Sequence, residues 1–380
     1  MNIFTHSLIL SSTFVLAVMS MGLTGNLPES HARHSGRLGM TPKIPSELQR
    51  YQPTQSLAGY LTIAVHGDTQ ALMAELAKAF HSWHPNLKLA LLQSKPYEGS
   101  PTRSTLGSFL DRQATPRLKD GKHRGFLGSN DIRLLVLSKK LTNEEKKEFI
   151  SRFGYRPVEI PMARDAVVFY VNYTNPVQGL TLDELQALFS NSPVGEATSG
   201  SRIWGDVGLK GQWKMAPVNL YVPTKIRAIS TYSFLQKFAL SNGEFRHDVI
   251  EKTGSASVVL AVSNDRTGIG GGDFGFQTPH VRVVPIAKKA KLPYITPTTQ
   301  TIMNGTYPLS HPVYLYINKT PSQDLAPAIS EFLNFIHSRT AQEFIVTEGW
   351  FPLKTSEVQR NLQLLGFSPD RGKSKGKPSK

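Results

Sequence analysis

Four short segments combine glycine, hydroxyl groups and charged side chains in a way that suits the binding of a small oxyanion. They are 66–69, 99–102, 130–139 and 224–232. In open α/β sheets, ligands bind beyond the carboxyl ends of the strands, where backbone N–H groups at helix starts can meet an anion. Each segment follows a predicted strand or precedes a predicted helix. The sequence therefore predicts a binding site assembled from these turns.

The first two segments offer small and hydroxyl-bearing residues. Gly67 can present a backbone amide and Thr69 a hydroxyl, with Asp68 between them at a strand-to-helix turn. Ser100 and Thr102 can donate hydroxyl hydrogen bonds to an oxyanion. Two simpler interpretations stay open. Asp68 and Thr69 can merely cap the helix that follows, and the residues around Ser100 can form an ordinary polar turn.

No motif of a common catalytic or metal site is present. The chain has no cysteine, which excludes disulfides, cysteine nucleophiles and thiolate metal sites. Nucleotide P-loop, Gly-x-Ser-x-Gly and His-Glu-x-x-His patterns are also missing. His81 and His84 have the helical spacing of a metal-binding pair, but no third ligand is evident, and a solvated helix end explains them more simply. We expect a binding protein that is not an enzyme, without cofactor or metal.

Predicted strands alternate with predicted helices along the chain, which indicates an α/β fold with mostly parallel sheets. Apolar runs predict strands at 61–65, 88–93, 132–137, 158–160, 166–172, 218–222, 268–272, 281–286 and 313–317. Helical spacing predicts helices over 72–83, 231–241 and 255–262, and one long helix over 325–347. Capping boxes at 142–145 and 181–184 mark the start of two more.

The order and spacing of short segments resemble those of the phosphate-binding proteins that serve ABC importers. The segments are Leu61–Thr69, Gly154–Pro157, Asp165–Asn172, Gly179–Leu182, Ile203–Asp206, Gly305–Leu309 and Glu348–Leu353. The resemblance implies a periplasmic binding protein fold of type II. Two lobes with mixed, mostly parallel sheets would be joined by a two-strand hinge and close over a ligand.

With the chain crossing twice between lobes, we expect six regions. They are a signal peptide (1–32), a flexible leader (33–57), the first part of lobe 1 (58–165), lobe 2 (166–312), the C-terminal part of lobe 1 (313–355) and a basic disordered tail (356–380). Residues 94–130 are basic and rich in glycine, serine and proline, which predicts an enlarged loop.

In the third segment, the resemblance implies an acid followed by a Ser-Arg pair. Asp131, Ser138 and Lys139 lie at those places, with lysine replacing the arginine. An acid in such a site can accept a hydrogen bond from a protonated phosphate. Arg133 is the alternative occupant of the acid's place, and a solvated strand end is an equally good interpretation of the segment.

In the fourth segment, relatives carry an arginine followed by Ser-Gly-Thr-Tyr, and the arginine binds the anion through two N–H groups. The candidates here are Arg227, Ser230 and Thr231, with Lys225 at the place where the arginine is expected. Serine has replaced the glycine, so the backbone cannot approach a ligand as closely. A lysine would keep the charge but lose the planar fork.

The N-terminus predicts an exported protein. Residues 8–21 are apolar and uncharged, and Ser30-His-Ala32 fits a cleavage site, although no basic residue precedes Arg33. We expect a cleaved signal peptide, with an uncleaved anchor as the alternative, and a periplasmic or secreted protein. Without a cysteine it cannot be a lipoprotein. Its formal net charge of +15 attracts polyanions.

The sequence thus predicts an extracytoplasmic protein that captures a small oxyanion, with phosphate favoured, for an ABC permease. We expect a monomer that does not bind nucleic acid. The alternative hypothesis is a binding-protein fold that has lost high-affinity transport and acts as an envelope scaffold, holding anionic envelope polymers on its basic surface and tail.

Overall fold

The computed structural model describes residues 42–93, 106–107, 109–110, 132–191 and 202–367. The predicted signal peptide, most of the 94–130 loop and residues 368–380 of the predicted tail lie outside these ranges. Among the described residues, no helix is both long enough and apolar enough to span a membrane.

Most strands of the described chain belong to one continuous mixed sheet. In chain order the strands are β1 (Gly59–Val65), β2 (Leu87–Gln93), β3 (Leu134–Leu137), β4 (Val158–Asn172), β5 (Leu180–Thr181), β6 (Asn219–Pro223), β7 (Ile250–Lys252), β8 (Gly268–Asp273), β9 (Val281–Val283), β10 (Ile286–Ala287) and β11 (Ser310–Ile317). The sheet order is β2-β1-β3-β11-β4-β8-β6-β7, with β9 also paired to β4, while β5 and β10 pair separately.

Helices cover the sheet and connect its strands. They are α1 (Gln70–Trp83), α2 (Asn143–Phe153), α3 (Leu182–Phe189), α4 (Ile229–Phe234), α5 (Ser255–Ser263), α6 (Thr299–Met303), α7 (Pro327–Ile336), α8 (Arg339–Thr347) and α9 (Thr355–Leu365). A 3-10 turn (Gly67–Thr69) leads directly into α1, and α4 continues into a π-helical turn (Leu235–Ala239).

The long strand β4 joins two lobes. Its first part pairs with β11 up to Ala166, and its second part pairs with β8 from Val167 onward. Lobe 1 contains β1, β2, β3, β11 and the first part of β4; lobe 2 contains β6 to β9 and the rest of β4. The chain returns to lobe 1 between β10 and β11. The predicted two-lobed α/β fold is therefore confirmed.

Local sequence patterns fix two helix starts. Thr142 accepts a hydrogen bond from the backbone of Glu145, whose carboxylate accepts one from the Thr142 backbone in return. Thr181 and Glu184 repeat the arrangement at α3. Each box satisfies backbone N–H groups that the first turn of a helix leaves unpaired. Both predicted capping boxes are confirmed.

Two predictions for the C-terminal region are wrong. The predicted single helix over 325–347 is broken, because His337 ends α7 and Ser338 caps α8 by accepting the N–H of Ala341. The predicted tail is ordered from 356 to 367, where α9 buries Val358 and Leu365. The apolar residues of α9 have helical spacing, but the basic, polar residues that follow favoured the prediction of a disordered tail.

The interpretation of His81 and His84 as a solvated helix end is also wrong. His84 is buried, with its Nε2 atom 2.7 Å from the hydroxyl of Tyr51, and the Nδ1 atom of His81 lies 3.1 Å from the carbonyl of Leu87. Both imidazole rings therefore make polar contacts within the protein. No group of three or more potential metal-binding side chains occurs in the described parts of the chain.

Strand β8 allows α5 to pack closely against the sheet of lobe 2. A Cβ atom at Gly270 would lie 2.4 Å from Cγ1 of Val258 and 3.0 Å from Cγ2 of Val262. Valine is rigid about χ1, so these methyl groups cannot move away easily. The glycines of β8 therefore set the distance between α5 and the strand that carries Asp273 at its end.

Replacing Gly270 by alanine should lower the free energy of unfolding by about 1–3 kcal/mol, the usual cost of overpacking. Ala256→Ser is the control, because Ala256 is exposed on the same helix, α5. We expect the control to change stability by less than about 0.5 kcal/mol. Urea unfolding followed by circular dichroism measures both variants, and equal midpoints would contradict this account of β8.

Candidate functional site

The 3-10 turn of lobe 1 faces helix α4 of lobe 2. Asp68 and Thr69 on the turn are buried, as are Ser230 and Thr231 in the first turn of α4. Ser138 follows β3, whose neighbour β1 leads into the 3-10 turn, and it is also buried. Because β1 and β3 are parallel, their carboxyl ends deliver these residues to the same edge of the sheet.

Asp68 is at the centre of a polar cluster that spans the two lobes. Ser138 donates its hydroxyl proton to Oδ2 of Asp68. Lys237, from the π-helical turn of lobe 2, donates to the Ser138 hydroxyl oxygen at 2.8 Å, and its Nζ lies 3.7 Å from Oδ2 of Asp68. On the other side, Nδ1 of His66 lies 2.7 Å from Oδ1. One carboxylate therefore gathers groups from three separate segments.

The charges of this cluster stabilise each other in a dry environment. Burial alone would raise the pKa of Asp68, but His66, Lys237 and Ser138 more than offset it, and the pKa lies below its ordinary value. Burial lowers the pKa of Lys237, while Asp68 opposes that shift. Neighbouring Lys139 also lowers the pKa of Lys237, although its own ammonium lies 3.3 Å from Glu145. The cluster is suited to hold one carboxylate and one ammonium together.

A second buried acid, Asp273, lies at the end of β8 in lobe 2. It accepts hydrogen bonds from the hydroxyls of Thr231, at 2.7 Å, and Ser255, at 3.0 Å. Its backbone N–H donates to the Ser255 oxygen, also at 3.0 Å. The hydroxyl proton of Thr231 is therefore directed at Asp273 in this arrangement, and Asp273 fixes the start of α4 relative to the sheet.

Aromatic rings from lobe 2 enclose His311 of strand β11. Phe238 stacks on its ring at a centroid distance of 3.9 Å, and Phe234 meets it edge-on at 4.4 Å. Phe234 also contacts Trp350 of lobe 1 at 5.8 Å. Burial, with the nearby charge of Lys237, lowers the pKa of His311 to about 3. The ring is therefore neutral at pH 7 and works as part of the packing between the lobes.

The structure brings together part of the predicted site. Gly67, Asp68 and Thr69 form the 3-10 turn, and Ser138, Lys139, Ser230 and Thr231 lie near it. Arg227 does not join them. It is exposed, as are Lys225 and Ile226 beside it. The predicted residues Ser100, Thr102 and Asp131 lie outside the described ranges.

Sequence reasoning missed four residues of the cluster and its surroundings, namely His66, Lys237, Asp273 and His311. For Lys237 a usable indication existed, because it is the only charged residue between Thr231 and Ser241. A lone charge in an apolar helical segment needs a buried partner. That partner, Asp68, is far away in sequence and could not be identified before the fold was known.

Neutral, buried His311 should make the protein sensitive to acid. Its folded pKa of about 3 lies below its ordinary 6.5, so its contribution to stability is present above pH 6.5 and is lost as the pH falls toward 3. At pH 4.5 the loss should be about 2–3 kcal/mol. His311→Phe keeps a ring in place and removes the titration, so it should lose correspondingly less stability between pH 7.5 and 4.5.

Exposed His247 provides the control, since His247→Phe should follow the wild-type acid dependence. Urea unfolding at pH 7.5 and 4.5 measures how much free energy of unfolding the wild type and each of the two variants lose on acidification. If His311→Phe and His247→Phe lose the same stability on acidification, the neutral state of His311 is not what the packing between the lobes requires.

Comparisons with known proteins agree with the two-lobed architecture. A family model described as the PBP superfamily domain matches residues 52–340. The phosphate-binding protein PstS of Pseudomonas aeruginosa is 32% identical over 333 residues, which cover 87% of this chain and 95% of that protein.

Solved structures with the same fold include a possible phosphate binding protein from Planctomyces limnophilus, with a TM-score of 0.65 and 20% identity, which covers 82% of this chain and 99% of that one. PstS from Borrelia burgdorferi matches with a TM-score of 0.56 and 16% identity, covering 78% of this chain and 100% of that one. The chain therefore belongs to the PBP superfamily and, within it, to the family of the phosphate-binding protein PstS.

Proposed function

We propose that the protein captures phosphate outside the cytoplasm and hands it to an ABC importer. The observation that carries the proposal is the similarity to PstS of Pseudomonas aeruginosa along 95% of that protein, on a chain whose two lobes meet at a buried polar cluster. A substrate-binding protein needs no chemical step, so binding, lobe closure and release account for the whole activity.

Asp68 would select the protonation state of the ligand. A carboxylate only accepts hydrogen bonds when it is ionised, and its low pKa keeps Asp68 ionised at neutral pH. Hydrogen phosphate carries a P–OH group that can donate to such an oxygen, whereas sulfate at neutral pH has no proton to donate. Sulfate would therefore place two acceptors against each other in a buried site, which costs affinity.

The other predicted residues would supply donors around the anion. We propose that the backbone of Gly67 and Thr69 and the side chains of Ser138 and Ser230 contact the phosphate oxygens. Backbone N–H groups at the start of α1 favour negative charge at this position. Thr231 would contribute only if its hydroxyl left Asp273, since that carboxylate accepts its proton here.

Several finer features remain part of the proposal. These are export through a cleaved signal peptide, a periplasmic or secreted location, a monomeric state and direct docking on an ABC permease. Roles for Ser100, Thr102 and Asp131 also stay predictions. The alternative of a scaffold without a ligand is not favoured, because an ionised acid, an ammonium and several hydroxyls meet where the two lobes are in contact.

Calorimetric titration of the exported form (residues 33–380) with phosphate and sulfate tests the function. We expect one-to-one phosphate binding at micromolar concentration or tighter, with sulfate weaker by about 100-fold or more. Asp68→Asn offers an amide donor in place of one acceptor. The affinities of this variant for phosphate and sulfate should therefore differ by less than about 10-fold.

Asp324→Asn is the matched control, because the substitution removes the same charge from an exposed residue on a loop. It should bind both anions as the wild type does. Absence of any phosphate binding by the wild-type protein would overturn the proposed function. A variant Asp68→Asn that keeps the full preference for phosphate would refute only the role of Asp68.

A further inference from the structure

Lys237 reaches the polar cluster from the lobe opposite to Asp68. It lies in the π-helical turn Leu235–Ala239 of lobe 2, and its side chain is 17% exposed. Such turns are uncommon and often occur at functional sites. Here the turn places an ammonium group beside Ser138 and Asp68 of lobe 1.

We propose that Lys237 is the cation that binds the oxyanion and determines its affinity, in the role that the family resemblance gave to Arg227 or Lys225. The inference rests on the proposed capture of phosphate between the lobes. It assigns the charge that neutralises the ligand to a residue of the π-helical turn rather than to the loop before α4.

The contacts of Lys237 leave donors available for a ligand. An ammonium group has three N–H donors. One points at the hydroxyl oxygen of Ser138 at 2.8 Å, whereas Oδ2 of Asp68 lies 3.7 Å away, beyond the usual length of a charge-assisted hydrogen bond. An anion oxygen entering between the lobes can therefore accept a hydrogen bond from Lys237, while nearby Asp68 favours the charged form of the amine.

The neighbouring cations are less suited to this role. Lys225 and Arg227 are exposed to solvent, where interactions with an anion are weak and screened by salt. Lys139 lies next to the cluster, but its ammonium is 3.3 Å from Glu145. A desolvated ammonium interacts more strongly with a ligand than any of these groups, because the effective dielectric constant is lower between the lobes.

Packing holds Lys237 in place. Phe238 follows it directly and stacks on His311 of strand β11, so the π-helical turn is anchored to the strand that returns the chain to lobe 1. The Nζ atom of Lys237 also lies 5.4 Å from the centroid of the Phe238 ring. The ammonium is therefore positioned by the same contact that joins the lobes, and little side-chain entropy remains to be lost on binding.

Phosphate titrations of the wild type, Lys237→Met and Lys237→Arg test the inference. Lys237→Met keeps most of the apolar stem and removes the charge, and it should weaken phosphate binding roughly 30- to 1000-fold, as expected when a buried charged partner is lost. Lys237→Arg restores the charge and should bind more tightly than Lys237→Met. Lys214→Met, at an exposed lysine of lobe 2, should stay within about 3-fold of the wild type.

Arg227→Met distinguishes the two candidate cations, and we expect it to lose less affinity than Lys237→Met. Wild-type affinity in Lys237→Met, or a greater loss in Arg227→Met, would overturn the inference while phosphate capture itself remained established. A wild-type protein that binds no phosphate would instead overturn the proposed function and the inference with it.

Removing Lys237 alone leaves Asp68 buried without its cation, and Lys237→Met can fold poorly for that reason. The double variant Asp68→Asn/Lys237→Met avoids the unpaired charge, and circular dichroism shows whether it is folded. Compared with Asp68→Asn alone, the folded double variant should bind phosphate at least about 30-fold more weakly. Equal affinities of these two variants would overturn the role of Lys237.

Discussion

The buried carboxylate of Asp68 is the constraint on which the arrangement of both lobes depends. An ionised carboxylate removed from water is costly unless hydrogen bonds and an opposite charge replace its hydration. The structure supplies these from His66 beside it, from Ser138 on the next strand and from Lys237 in the other lobe. Because neither lobe provides all of these partners, Asp68 has them together only when the lobes are in contact.

The scaffold makes this contact reproducible. Strand β4 runs unbroken from one lobe into the other, pairing with β11 up to Ala166 and with β8 from Val167. The glycines of β8 bring α5 close to the sheet, and Asp273 at the end of β8 accepts the hydroxyl protons of Thr231 and Ser255. The start of α4, and with it the π-helical turn, is thereby positioned over the 3-10 turn of lobe 1.

Sequence could predict what is determined locally. The capping boxes at Thr142 and Thr181, and the turn that carries Asp68, depend on neighbouring residues, and all were predicted at the correct positions. Lys237 could not be assigned, because its partner Ser138 is 99 residues away and its direction depends on a π-helical turn that no sequence pattern indicated. The basic composition of the C-terminal residues also led to the wrong prediction of a disordered tail from residue 356, where the structure has helix α9.

The energetics of the Asp68–Lys237 pair favour a functional role over a structural one. Two buried charges rarely stabilise a fold more than apolar residues of the same size would, since desolvation offsets much of their attraction. Apolar aromatic contacts need no such compensation, and one of them, between Phe234 and Trp350, joins the same two lobes. The lobes therefore meet through apolar packing as well as through the groups that the buried Asp68 requires. The position of the pair beside helix α1 and several hydroxyls fits the proposed binding of a ligand that carries both a negative charge and a proton.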